Sequence, residues 1–102
     1  MENNKKAVAC KLTSPELQKR KAEIMQELKI SVVEKKELPN GFSYKFSGTD
    51  AMIRQLTNFI VTERLCCDFF TFQLTVEDES SAWLSLTGPE GTKDFIKTEL
   101  EF

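Results

Sequence analysis

Hydrophobic positions along the chain follow two rhythms. Phe42, Tyr44 and Phe46 alternate with Ser43, Lys45 and Ser47, and Phe70, Phe72, Leu74 and Val76 alternate with Thr71, Gln73 and Thr75. A period of two marks strands with one buried face. Between and before these runs the spacing lengthens to that of a helix. Leu17, Ile24, Met25 and Leu28 share one side of a first helix. Ile53, Leu56, Ile60 and Cys67 share a stripe about 60° wide on a second, broadened by Met52 and Phe59.

Local signals set the ends of these elements. Thr13 or Ser14 caps the first helix, Pro15 suits its first turn, and Glu16 can close a capping box with Thr13; the helix is expected to reach about Leu28. From Ile30 to Leu38 the chain is strand-like, through Ile30, Val32 and Val33 and then the charged Glu34-Lys35-Lys36-Glu37; Pro39-Asn40-Gly41 reads as a tight turn because Asn-Gly tolerates positive φ, and the alternating strand beyond it completes a first hairpin. Gly48-Thr49-Asp50 opens the second helix, with Ser47 or Thr49 as cap, and it runs to about Cys67. A strand over Phe69–Val76, a polar loop over Glu77–Ser81 and a strand over Ala82–Thr87 make a second hairpin. Gly88-Pro89-Glu90-Gly91 begins a last helix carrying Phe95, Ile96 and Leu100. Ala7–Leu12 adds a short first strand with Val8, Cys10 and Leu12 on one face. The order is β-α-β-β-α-β-β-α, and it predicts an α+β fold with helices packed on a mainly antiparallel sheet.

Composition narrows the function classes. A chain of 102 residues, 40% apolar with eight Phe, is one domain with a modest core. Residues 1–6 read as a flexible tail and 7–102 as the domain. A net charge of −2 argues against nucleic-acid binding. The densest basic run, Lys19-Arg20-Lys21, sits among glutamates and reads as a solvated helix face. No apolar run reaches the ~20 residues of a membrane helix, and the polar start carries no signal peptide, so a cytoplasmic protein is expected. Thiols are then reduced, in keeping with an odd count of three cysteines. Histidine is absent, which removes Cys-His and Ser-His nucleophile pairs and every His-ligated metal site.

The chemistry concentrates at Glu63-Arg64-Leu65-Cys66-Cys67-Asp68. Glu63 projects into the apolar stripe of the second helix, where an unpaired carboxylate is costly to bury or must protonate. Cys67 lies near the stripe's centre one turn on, Cys66 lies at its edge, and both are within i,i+3 or i,i+4 reach of Glu63. Arg64, about 100° away, is the nearest charge to offset the carboxylate. The helix must end or distort at Cys66-Cys67 for adjacent thiols to act together. With Cys10 arriving from the first strand, the set Cys10, Cys66, Cys67 and Glu63 suits a thiophilic ion such as Zn(II), Cu(I), Hg(II) or As(III), or reversible thiol oxidation. The other reading makes Cys67 and Cys10 small core residues, with Glu63 bent to solvent, in a non-catalytic module that self-associates as a homodimer. A helix C-terminus disfavours a thiolate, so no catalytic residue is assigned.

This stretch resembles a family of short, uncharacterised bacterial proteins whose recurring pattern is Glu-Arg-x-Cys-Cys-x-Phe, an alternating aromatic strand, Trp-Leu-x-Leu and Thr-Gly-Pro-x-Gly. Here these are Glu63–Phe69, Trp83-Leu84-Ser85-Leu86 and Thr87-Gly88-Pro89-Glu90-Gly91, with Ala9-Cys10-Lys11-Leu12-Thr13 and Leu38-Pro39-Asn40-Gly41 similar in the front half. Asp68 stands where relatives often carry Pro. Related segments occur beside or fused to mercury-responsive-type regulators, and the resemblance therefore implies a heavy-metal and thiol context in bacterial stress handling.

Overall fold

The structure, a computed structural model, describes residues 14–100 apart from the side chains of Cys66 and Glu99. The expected first strand and the N-terminal tail lie outside the described residues. Within them the order is α1 (Pro15–Lys29), β1 (Glu34–Leu38), β2 (Gly41–Phe46), α2 (Asp50–Cys66), β3 (Thr71–Asp78), β4 (Ser81–Thr87), α3 (Thr92–Phe95) and a π-helical turn over Ile96–Leu100. The α+β architecture with helices on an antiparallel sheet is as the pattern predicts.

The two long helices, α1 and α2, begin where a hydroxyl can take an orphan amide. Ser14 Oγ accepts from the Leu17 amide at 3.2 Å, and Thr49 Oγ1 accepts from the Met52 amide at 3.3 Å. Of the two cap candidates for each helix, the one adjacent to the first helical residue does the work.

The sheet runs β1-β2-β4-β3, with every neighbouring pair antiparallel. Since β2 and β3 both run against β4, they are parallel to each other, joined by α2 and split by β4. The registers stack Phe42 with Leu86 and Phe72, and Tyr44 with Leu84 and Leu74, on one face. There they join Leu28, Leu56, Phe59, Phe70, Ile96 and Cys67 in a single core. Tyr44 is fully buried, and burial pushes its hydroxyl's pKa upward, keeping it neutral. The opposite face is polar around Trp83, half-buried with Lys36 Nζ 4.6 Å and Lys45 Nζ 6.0 Å from its ring centroid.

Two boundaries differ from the sequence reading. The first strand of the hairpin is only the charged C-terminal part, Glu34–Leu38, of the expected Ile30–Leu38 stretch; it is an edge strand whose side chains are mostly exposed, and charge at an edge discourages unwanted pairing. Phe69 and Phe70 precede β3 instead of opening it. Their rings sit 4.5 Å apart, and Phe95 lies edge-on to both, so the α2–β3 connection is buried and aromatic.

Gly41 matters for a reason other than the turn's φ. A Cβ there would lie 1.8 Å from the Leu86 carbonyl oxygen, so the close approach of β2 to β4 is what demands glycine. Among the described glycines, Gly91 has a positive φ (98°), at the start of α3. Gly41→Ala is expected to lower unfolding free energy by about 3 kcal/mol in a urea titration, because backbone cannot move aside as a side chain can.

Candidate functional site

The site is built where α1 crosses the C-terminal half of α2. On α2 the buried line passes through Leu56, Phe59, Glu63 and Cys67, while Ile53 and Ile60 are partly exposed. Glu63 is 1% exposed, as its place in the stripe requires and contrary to the reading that bends it to solvent. Its counter-charge is not Arg64, which is exposed, but Lys21 from α1. Lys21 Nζ lies 3.1 Å from Glu63 Oε1, with the lysine side chain 13% exposed. The same ammonium donates to Cys67 Sγ at 3.9 Å.

Lys21 belongs to the basic run whose composition predicts a solvated face, yet its side chain is 13% exposed. It occupies the inward side of α1, in line with Leu17, Ile24, Met25 and Leu28 at i−4, i+3, i+4 and i+7. Each of the two helices therefore carries one charge in its apolar stripe, and the charges are opposite. Arg20, one position away, instead reaches Asn58 Oδ1 at the exposed edge of the contact, 2.9 Å away.

The helix ends as the chemistry predicts. Cys67 is the C-cap of α2, with φ −123° and ψ 70°, and its amide still donates to the Glu63 carbonyl at 2.7 Å. Cys66 is the last helical residue. Cys67 itself is fully buried. Cys10 and the Cys66 side chain lie outside what the structure describes. Among the described residues no three His, Cys, Asp or Glu side chains converge to hold a metal; Glu63 and Cys67 are the two described donors, and both contact Lys21.

The surface carries two hollows, of which the first borders the site. One, of about 300 Å³, runs along α1 and has Lys21, Met25 and Leu100 in its wall. The other, of about 390 Å³, lies between the Pro39-Asn40 turn and Pro89–Asp94, where the Gly88 amide donates to the Asn40 carbonyl at 3.2 Å. The two proline turns singled out in the sequence thus brace each other.

Chemically, an ammonium held between a carboxylate and a sulfur is a cation placed between two donors that a soft metal also favours. It is also an amine in contact with an oxidisable group. Compared with protein-family models, with curated proteins and with solved structures, the chain finds no match in any of the three.

Proposed function

We propose that the chain is a thiol-centred sensor. Cys67 takes up a thiophilic metal or metalloid, or is reversibly oxidised, and the change reaches the α1–α2 contact through Lys21 and Glu63. The observation that carries this reading is the double contact of Lys21 Nζ, 3.1 Å from Glu63 Oε1 and 3.9 Å from Cys67 Sγ. A cysteine that only fills space is surrounded by apolar groups; this one faces a buried ion pair. Such pairs are often no better for stability than apolar side chains of similar size, which leaves a role other than stability for them to serve.

A soft divalent ion at this place would take a thiolate and a carboxylate as ligands and expel the ammonium by charge repulsion. Cys66 and Cys10 are the further donors. Cys10 precedes Ser14 by four residues, a reach of up to ~14 Å in extended chain, against ~10 Å of helix axis from Ser14 to Lys21. The chain length therefore permits Cys10 to join. Zn(II), Cu(I), Hg(II) and As(III) are the ions whose softness fits a sulfur-rich set without histidine, in keeping with cytoplasmic heavy-metal or oxidative stress handling.

The test is a titration of the reduced, native protein with Hg(II), As(III) or Zn(II), counting thiols still open to a colorimetric reagent. Stoichiometric protection that disappears in Cys67→Ser is the expected result. Thiols that stay closed to every reagent until the protein unfolds would sink the proposal.

A self-associating module is the second reading. It is favoured by Val61 and Leu65, 51% and 59% exposed and one turn apart on the outer side of α2. A concentration-dependent sedimentation coefficient, lost in Leu65→Lys, would select it.

A further inference from the structure

We infer that Lys21 and Cys67 form a covalent nitrogen–sulfur cross-link, a sulfenamide, when the protein meets a peroxide. The inference rests on the thiol-oxidation branch of the proposed function and names the product that the geometry selects. Oxidised cysteine has few partners inside a protein. A sulfenic acid condenses with a neighbouring thiol or with a nitrogen. The nitrogen here is already in place, donating to the sulfur at 3.9 Å across 46 residues of sequence.

The third member of the cluster supplies what the condensation needs. An ammonium is not a nucleophile, and Lys21 must lose a proton before it attacks. Glu63 Oε1, 3.1 Å from Nζ and 1% exposed, is positioned to take that proton.

The steps balance. First, the Cys67 thiol and hydrogen peroxide give the Cys67 sulfenic acid and water; sulfur is oxidised, and the peroxide O–O bond is broken and reduced. Second, the Lys21 ammonium gives a proton to the Glu63 carboxylate. The amine then attacks sulfur, the N–S bond forms, and the S–O bond breaks. The departing hydroxide leaves as water with a second proton from nitrogen. The products are the neutral sulfenamide, water and protonated Glu63, which returns its proton to solvent. No oxidant beyond the peroxide is needed.

Access and consequence both follow from position. The hollow of about 300 Å³ beside α1 has Lys21 in its wall, so it brings solvent to the amine that contacts the Cys67 sulfur. The bond would tie α1 to the end of α2, replacing an ion pair with a covalent staple. A thiol reductant cleaves it and restores the amine and the thiol.

The experiment uses the full chain carrying Cys10→Ser and Cys66→Ser, in which Cys67 has no intramolecular disulfide partner, alongside the native chain. After brief hydrogen peroxide treatment, trypsin digestion is read by mass spectrometry. The expected product joins the peptide Lys21–Lys29 to the peptide Leu65–Lys93. It is two hydrogens lighter than their sum, uncut after Lys21, and separated by dithiothreitol. Lys21→Arg keeps the charge and abolishes the linkage. Cys67 trapped as sulfenic acid by a 1,3-diketone, with trypsin still cutting after Lys21, overturns the cross-link while leaving thiol oxidation standing. A folded protein whose Cys67 takes up neither oxygen nor label overturns both. A linked product that retains an added oxygen also overturns the N–S bond.

Discussion

Lys21→Met is expected to destabilise the protein by about 3–5 kcal/mol, because it removes the described cation from a carboxylate that is 1% exposed. Against a total stability of roughly 5–15 kcal/mol for a small domain, that leaves a protein near its folding threshold. The loss is a property of the pair, so it should be recovered when both members go. Lys21→Met combined with Glu63→Leu is expected to fall within about 1 kcal/mol of the native chain or above it, since apolar residues of matching volume can replace a buried ion pair without cost. Urea unfolding followed by the fluorescence of Trp83 measures all three proteins. A double variant as unstable as the single one would show that the two residues do not act as a unit.

Phe59→Ala is expected to cost about 3–5 kcal/mol and to expose the site at the same time. Phe59 is 1% exposed on the inner side of α2, and its ring stands edge-on to Phe72 of β3 at 6.3 Å between centroids. Truncation removes this helix-to-sheet contact and opens a cavity the neighbouring rings cannot fill. Glu63 and Cys67 follow at i+4 and i+8 on the same side of the helix, so a loosened α2 should also release the thiol. The expected signature is a lower urea midpoint together with faster reaction of Cys67 with a thiol reagent under native conditions. A loss of unfolding free energy of less than about 1 kcal/mol would mean that the packing of α2 on the sheet is carried elsewhere.

How much of this was legible beforehand depended on whether the determining contact was local. Phe42-Ser43-Tyr44-Lys45-Phe46 has one periodicity and one stable outcome, and the strand formed where the alternation lies. Ser14 and Thr49 cap their helices through bonds that span three residues, and such bonds are visible in sequence. Glu63 was recognisable as an anomaly because its own helix is apolar around it. The buried role of Lys21 is masked, since its neighbours Lys19 and Arg20 make a basic run that suggests solvent, and its partner lies 42 residues further along. The signal was nevertheless present: Lys21 keeps the i+3, i+4, i+7 spacing with Ile24, Met25 and Leu28. A charge inside one apolar stripe asks for an opposite charge inside another, and matching the two stripes would have found the pair. The start of β1, at Glu34 rather than Ile30, is hidden for a different reason. An edge strand takes its register from its neighbour, here Glu34 with Lys45 through Leu38 with Gly41, and its own hydrophobicity carries little of that information.

Amide hydrogen exchange across α1, measured with and without one equivalent of Hg(II), tests most directly whether the state of Cys67 is coupled to the α1–α2 contact. The account predicts that mercury bound at Cys67 displaces Lys21, so that amides of Gln18–Met25 lose protection while those of β2 and β4 keep theirs. The same pattern should be absent in Cys67→Ser. Unchanged protection of α1 with mercury bound, or exchange that rises uniformly over the whole chain, would contradict it.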